Sequence, residues 1–228
     1  MNAVLDNADL VFRAFSYTVL LFLIAAVASL VLGTLLAALR VGPVAVLSKA
    51  AAVYVVAIRN TPLLIVLIFF RIAGPKVGIN FNFVDITVGE VRLNNLFAAC
   101  VVGLTAYTST FVCEAIRSGV NAVPLGQAEA ARAIGLPFAG AMREVVLPQA
   151  VRASVPPLAS VQIALLKNTT VAGTLGVFEA FARMRGLTND FTGQRIGIFL
   201  TFAFIFVVLV EVVSFGANRL ERRWRIAR

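Results

Sequence analysis

The chain has 228 residues, 60% hydrophobic and only 14% charged, with a formal charge of +9 and a mean hydropathy of +0.94. Soluble domains carry about 25% charged residues, so this balance places the chain in a membrane, in contact with lipid. It also assigns the surplus lysine and arginine to cytoplasmic loops and not to nucleic acid. There is no histidine, which removes the commonest general base and a frequent metal ligand.

The first residues do not read as a secretory signal. Asp6 and Asp9 make them acidic, and the apolar run that follows is too long. Residues 14–39 contain no charge; as a helix they span about 39 Å, against a hydrocarbon core of about 30 Å. Ser29, Gly33 and Ala37 recur there at intervals of four, so one face is small enough for close helix approach. Residues 50–70 form a second candidate span, interrupted by Arg59-Asn60-Thr61-Pro62. Residues 93–113 form a third, which holds both cysteines, Cys100 and Cys113. Without a C-x-x-C spacing these read as buried, inert thiols and not as a disulfide or zinc framework. Residues 153–178 form a fourth, broken by Pro156-Pro157, where a bend is expected, and by Lys167-Asn168-Thr169-Thr170. Residues 196–218 form a fifth, with Glu211 near its end. The expected fold is an all-α membrane protein of about five transmembrane helices. It forms a single domain over residues 1–228, without internal repeats.

Five spans put the termini on opposite sides, and basic residues decide which side is which. One side takes Arg40, Lys49, Arg117, Arg132, Arg143, Arg152 and the tail with Arg219, Arg222, Arg223, Arg225 and Arg228. The other takes Arg13, Arg71, Lys76, Arg92, Arg183, Arg185 and Arg195, and with them most of the acids. The richer side is expected to be cytoplasmic, which leaves the N-terminus outside and the C-terminus in the cytoplasm.

Between the third and fourth spans, residues 121–150 are too polar to cross a membrane. Pro124 suits a first helical turn, and the residues from Gln127 to Ile134 include four alanines that favour helix. Gly135 is placed to end that helix in a left-handed conformation. Pro137 can open a second short helix that Pro148 closes. The expected shape is helix, sharp turn, helix.

Within that segment Glu129-Ala130-Ala131, Gly135, Val145 and Leu147-Pro148 carry the spacing of the cytoplasmic EAA loop of bacterial ABC importer permeases, which they resemble, with Val145 where isoleucine is common. Arg59-Asn60-Thr61-Pro62-Leu63-Leu64 resembles the Arg-Gly-Thr-Pro-Leu-Leu element of polar amino acid permeases, with Asn60 in place of the usual glycine. Ala106-Tyr107-Thr108-Ser109 followed by Glu114, Arg117 and Gly119 is similar to the lead into their EAA loop. Lys167-Asn168-Thr169-Thr170 is similar to their Lys-Asn-Ser/Thr element. The resemblance covers nearly the whole chain and lies nearest the glutamate-uptake permeases of the histidine, glutamine and glutamate family. It implies a type I ABC importer permease fold in the bacterial cytoplasmic (inner) membrane.

The resemblance also implies partners. A cytoplasmic ABC ATPase dimer would bind ATP-Mg and dock on the EAA loop. A second permease subunit, sister or copy, would complete the path, and an extracytoplasmic binding protein would deliver the amino acid. Glu129 would then offer a carboxylate to the ATPase, Ala130 and Ala131 would let the helix sink deeply, and Gly135 would set the angle between the two arms. The chain itself has no Gly-x-x-x-x-Gly-Lys-Ser/Thr run, so it has no P-loop. It is expected to be no enzyme, with no cofactor and no metal of its own.

Arg59 and Lys167 lie inside apolar runs, where a cation costs about 2.5–3.5 kcal/mol on insertion scales. They are candidates to line the path and meet a substrate carboxylate, or else to pair with Glu114 or with helix-end carbonyls. Tyr107, Thr108, Ser109, Asn168 and Thr169 are candidates to line a wet cavity or, alternatively, to bond between helices, and Glu114 is a further candidate for the path. Two rivals remain at this level. An ion-gradient-driven carrier would want internal repeats and has no use for an EAA loop; a membrane-embedded enzyme would need a nucleophile with a base, which no residue here is clearly placed to supply, and a non-transporting structural subunit is the other alternative.

Overall fold

The computed structural model describes residues 2–224; Arg225 and Arg228 of the basic tail lie outside them. Long apolar runs free of proline give three helices that are each long and apolar enough to cross a membrane. They are α1 (Ala8–Val41, 34 residues), α4 (Asn95–Asn121, 27 residues) and α8 (Arg195–Trp224, 30 residues). At 1.5 Å per residue α1 reaches about 51 Å, well beyond a hydrocarbon core of about 30 Å. The Asn94 side chain caps α4 by accepting the Phe97 N–H at 3.0 Å.

The second expected span is not straight. It is a helix pair, α2 (Ala45–Arg59) and α3 (Leu63–Ile68) with its continuation to Lys76, turned through 104°. Neither half reaches across a bilayer alone, at about 23 Å and about 21 Å. The turn falls at Asn60–Pro62, where Pro62 brings no N–H to the helix ladder and restricts Thr61 before it.

The fourth expected span is replaced by a shifted and less apolar helix, which is not among those long and apolar enough to cross a membrane; with the bent pair counted as one span, the described residues hold up to four such spans where about five were expected. Helix α6 runs Leu147–Asn168 through Pro156 and Pro157 as one element. Its start lies six residues before the expected one, because Pro148 does not close a helix. Pro148 occupies the first turn of α6, where a missing N–H costs nothing. The end comes at Asn168. There the Thr169 and Thr170 hydroxyls donate to the Leu166 and Lys167 carbonyls at 2.6 and 2.8 Å, offering the backbone an alternative to the helix.

Two π turns share one cause. In residues Phe69–Ala73 the Gly74 N–H donates to the Phe69 carbonyl, and in Met142–Val146 the Leu147 N–H donates to the Met142 carbonyl. Each donor immediately precedes a proline, Pro75 or Pro148. Widening the turn moves aside the carbonyl that the pyrrolidine ring would otherwise strike.

The core lies where α1, α3, α4 and α6 meet. Leu21, Phe22, Leu67, Phe97, Leu104 and Leu166 are among its buried residues. The small-residue face of α1 packs on α4 as expected: Ser29, Gly33 and Ala37 are all buried. A Cβ on Gly33 would lie 2.5 Å from Val112 Cβ and 2.8 Å from the Ser109 carbonyl oxygen. Cys100 and Cys113 are buried free thiols. Large apolar side chains such as Val27, Val31, Phe199, Phe204 and Phe215 stay exposed, which suits lipid as the surrounding solvent.

A short hairpin, β1 (Ile86–Val88) and β2 (Val91–Leu93), and the helix α7 (Ala180–Asp190) cover the N-terminal end of α1. Helix α7 is tied down by two polar contacts. The Ala180 N–H donates to Thr18 Oγ1 at 3.0 Å, and Glu179 caps the helix by accepting the Phe181 and Ala182 N–H groups at 2.9 and 2.8 Å. The Glu179 carboxylate is fully buried. Gly173 makes room for it, since a Cβ there would lie 1.9 Å from Oε1. Burial pushes the carboxyl up to about 7, while the two backbone bonds hold it back.

Candidate functional site

The polar segment after α4 folds as the expected turn of helix. Helix α5 (Leu125–Ala133) follows Pro124, which stands just ahead of the first turn and not inside it. Gly135, at φ +91°, ends it. The Gly135 N–H donates to the Arg132 carbonyl at 3.0 Å and the Leu136 N–H to the Ala131 carbonyl at 3.2 Å. This is the paired left-handed ending that favours glycine over any residue with a Cβ. The chain then returns through Phe138–Ala141 and the π turn directly into α6. The second arm is therefore the leading end of α6 and not a separate closed helix.

Within this segment Glu129 and Ala130 face outward and Ala131 is buried at 4% exposure against its own chain. Only the first two of the three are presented to an outside surface. Val145 is half-buried, Leu147 and Pro148 are exposed, and Ala141 and Val146 are buried. Sequence reasoning passed over Leu125, Ile134 and Phe138, which are 80%, 81% and 53% exposed. Large apolar side chains at the ends of short helices too polar to cross a membrane were the available signal. Beneath α5 an apolar cavity of about 390 Å³ is lined by Val123, Leu125, Ala128, Met142 and Val146.

The two roots of the segment are clamped together. A Cβ on Gly119 of α4 would lie 1.9 Å from Ser154 Oγ and 2.5 Å from the Ala150 carbonyl oxygen of α6. The Glu114 carboxylate pairs with Arg40 at the end of α1 and, at 3.2 Å, with Arg117. Glu114 thus serves this end of the bundle and pairs with neither Arg59 nor Lys167.

A second group forms a cavity of about 340 Å³ between the middle of α4 and the C-terminal half of α6. Tyr107, Thr108 and Phe111 line it from α4, and Ser160, Ala164 and Asn168 from α6. Three of the candidates read from sequence, Tyr107, Thr108 and Asn168, converge here. Arg59, the last residue of α2, is exposed and not among the lining residues, but its guanidinium lies 5.6 Å from the ring centroid of Phe111 in the cavity wall, a cation–π contact. The Thr108 hydroxyl is buried and has no protein partner among the described residues.

The remaining candidates lie elsewhere. Ser109 faces α1 and α2, donating to the Ala106 carbonyl at 2.9 Å beside the Tyr54 hydroxyl. Thr169 is buried and bonded to its own helix. Lys167 is exposed and is not part of the cavity wall. Phe111 and Ser160 were not singled out from sequence, yet Phe111 lies four residues after Tyr107 on the same helix face. Among the described residues no three histidine, cysteine or acidic side chains gather as a metal site.

A family model described as binding-protein-dependent transport system inner membrane component matches residues 29–226. The chain is 37% identical over 210 residues to the glutamate transport system permease protein GluC of Corynebacterium glutamicum, covering 92% of each chain. It is 33% identical over 223 residues to the probable glutamine ABC transporter permease protein GlnM of Bacillus subtilis, covering 98% of this chain and 97% of that one. A solved structure, the crystal structure of an amino acid ABC transporter with histidines, superposes with a TM-score of 0.82 at 26% identity over 96% of each chain. An inward-facing MetNI methionine ABC transporter shares the fold, with a TM-score of 0.74 at 21% identity over 97% of this chain and 99% of that one.

Proposed function

The chain belongs to the family of binding-protein-dependent transport system inner membrane components, and we propose that it is the permease subunit of an ATP-driven importer carrying glutamate or a closely related polar amino acid. It is a multi-pass membrane protein of the ABC amino acid permease type. The substrate reading rests on the glutamate and glutamine permeases to which the chain is similar.

The observation that carries the coupling role is the form of α5. It is a short helix presenting Glu129, Ala130, Leu125 and Ile134 outward, on a segment whose two roots touch at Gly119 and Ser154. In this reading α5 lies in the cytoplasm and docks on an ATPase dimer that holds ATP-Mg. A push on it moves α4 and α6 together, and these two helices wall the cavity at Tyr107, Thr108 and Asn168. Motion at the docking surface thereby becomes motion at the path without bond chemistry in this subunit. A second permease, sister or copy, closes the other side of the path. An extracytoplasmic binding protein delivers the amino acid at the end that carries the hairpin and α7, with the N-terminus outside.

The test is reconstitution in vesicles with co-expressed ATPase, partner permease and binding protein. ATP-dependent uptake of labelled glutamate or glutamine is expected. Gly135→Pro, which cannot adopt φ +91°, and Glu129→Lys should both insert normally and yet separate ATP hydrolysis from uptake. Uptake driven by a sodium or proton gradient with no ATPase present would refute the proposal, and wild-type uptake in both variants would refute the coupling role.

A further inference from the structure

At the hairpin end of the bundle three guanidinium groups from three separate elements converge on one cavity of about 250 Å³: Arg13 of α1, Arg92 of β2 and Arg183 of α7. Tyr17 and Phe178 complete much of its wall. Like charges gather only where negative charge offsets them. Two of the three have such an answer. Arg13 faces Glu90 at 3.4 Å, and Arg92 grips Asp85 through two bonds of 2.8 Å. Tyr17 fixes the hairpin over α1, its hydroxyl accepting the Arg92 N–H at 2.9 Å.

Arg183 has no such answer. It lies over the Phe178 ring at 4.5 Å from the centroid, and no carboxylate stands within 4.0 Å of it among the described residues. Glu179, one turn earlier, is no substitute, because both its oxygens are turned inward to cap α7. Three cations against two carboxylates leave one positive charge facing an open cavity.

We propose that this cavity binds a single carboxylate group, with Arg183 as its principal contact. A guanidinium presents paired donors that match a planar carboxylate, and the Arg92–Asp85 pair already formed here is of that kind. The inference rests on the importer reading, in which this end receives cargo. The carboxylate then comes from one of two sources: a free acidic amino acid, or an aspartate or glutamate side chain on the delivering protein.

The experiment uses the assembled importer in nanodiscs of phosphatidylcholine. One arm measures equilibrium binding of L-glutamate and of L-glutamine without the delivering protein. The other measures the affinity of the loaded delivering protein by surface plasmon resonance, across a salt series. Arg183→Gln should weaken one arm by about tenfold, the size expected for a lost charge-assisted bond. Arg183→Lys should restore part of it, and Arg185→Gln on the same helix should stay within about twofold of wild type. Loss in the first arm identifies the free amino acid, and loss in the second identifies the protein side chain. Arg183→Gln equal to wild type in both arms would overturn the assignment. The same holds if only the phosphatidylglycerol that co-purifies from cells, counted by native mass spectrometry, is lost, since the group held would then be a lipid phosphate. Absence of ATP-driven uptake in the wild-type assembly would instead overturn the importer reading itself.

Discussion

Glutamine in place of Glu179 should flatten the pH dependence of stability of the whole chain. The carboxyl is fully buried, has only two backbone N–H groups and the Gly173 backbone around it, and is pushed from 4.5 up to about 7. Because the folded form holds the proton more tightly than the unfolded form, its contribution is fully present below about pH 4.5. It is lost as pH rises through about 7. The displacement is worth about 3 kcal/mol in all, most of it between pH 5 and 8. The chain has no histidine, so no side chain at its ordinary pKa titrates in that window. Unfolding in detergent micelles at pH 5 and at pH 8 should show the wild type losing about 2–3 kcal/mol. Glu179→Gln keeps the shape and one acceptor, and should lose less than about a third of that. Equal pH slopes in the two proteins would refute the argument.

Gly33→Ala should destabilise by about 1–3 kcal/mol, because its methyl meets Val112 at 2.5 Å. Gly216→Ala, with nothing within 4 Å of its added Cβ, should be neutral or stabilising by up to about 1 kcal/mol; the same micelle unfolding assay separates the two, and a neutral Gly33→Ala would count against the α1–α4 contact. Glu114→Ala should cost about 3 kcal/mol, because Arg40 and Arg117 lose a common partner at a site where Arg40 is only 12% exposed. Reading the same variant in a double-mutant cycle with Arg40→Gln should return a coupling well above that of a surface pair, and additive losses would refute it.

The parts of this fold that were legible in the sequence were those governed by local chemistry. The charge-free run behind α1, the small residues at 29, 33 and 37, and glycine at 135 each say what the backbone does there, and the structure agrees. Pro148 misled because a proline reads alike at the end of one helix and at the start of the next. Only the preceding π turn decides between them. Asn60–Pro62 announced an interruption but not its 104° angle, which is set by packing of α3 on α4, where a Cβ on Gly103 would lie 2.6 Å from Leu67 Cδ2. Of the polar candidates inside the spans, Tyr107, Thr108 and Asn168 share a cavity wall while Ser109 and Thr169 turn away. Adjacent positions on a helix point about 100° apart, so neighbours in a motif cannot all face one place. Glu114, a candidate for the path, sits instead beside Arg40, a partner 74 residues away that local spacing does not reveal.

Each π turn contains one residue more than an α-helix of the same rise requires. The chain is therefore out of phase with itself across residues 142–146, and everything after that point is rotated by about 100° relative to an unbroken helix. Ser154 meets Gly119 in that shifted phase. Deleting a single residue from the turn would leave composition, hydropathy and spans almost untouched, yet it would swing a different row of α6 toward α4. The docking segment and the cavity wall are thus keyed to each other by a residue count, and a change of one in that count would shift their relative phase without changing the residues of either.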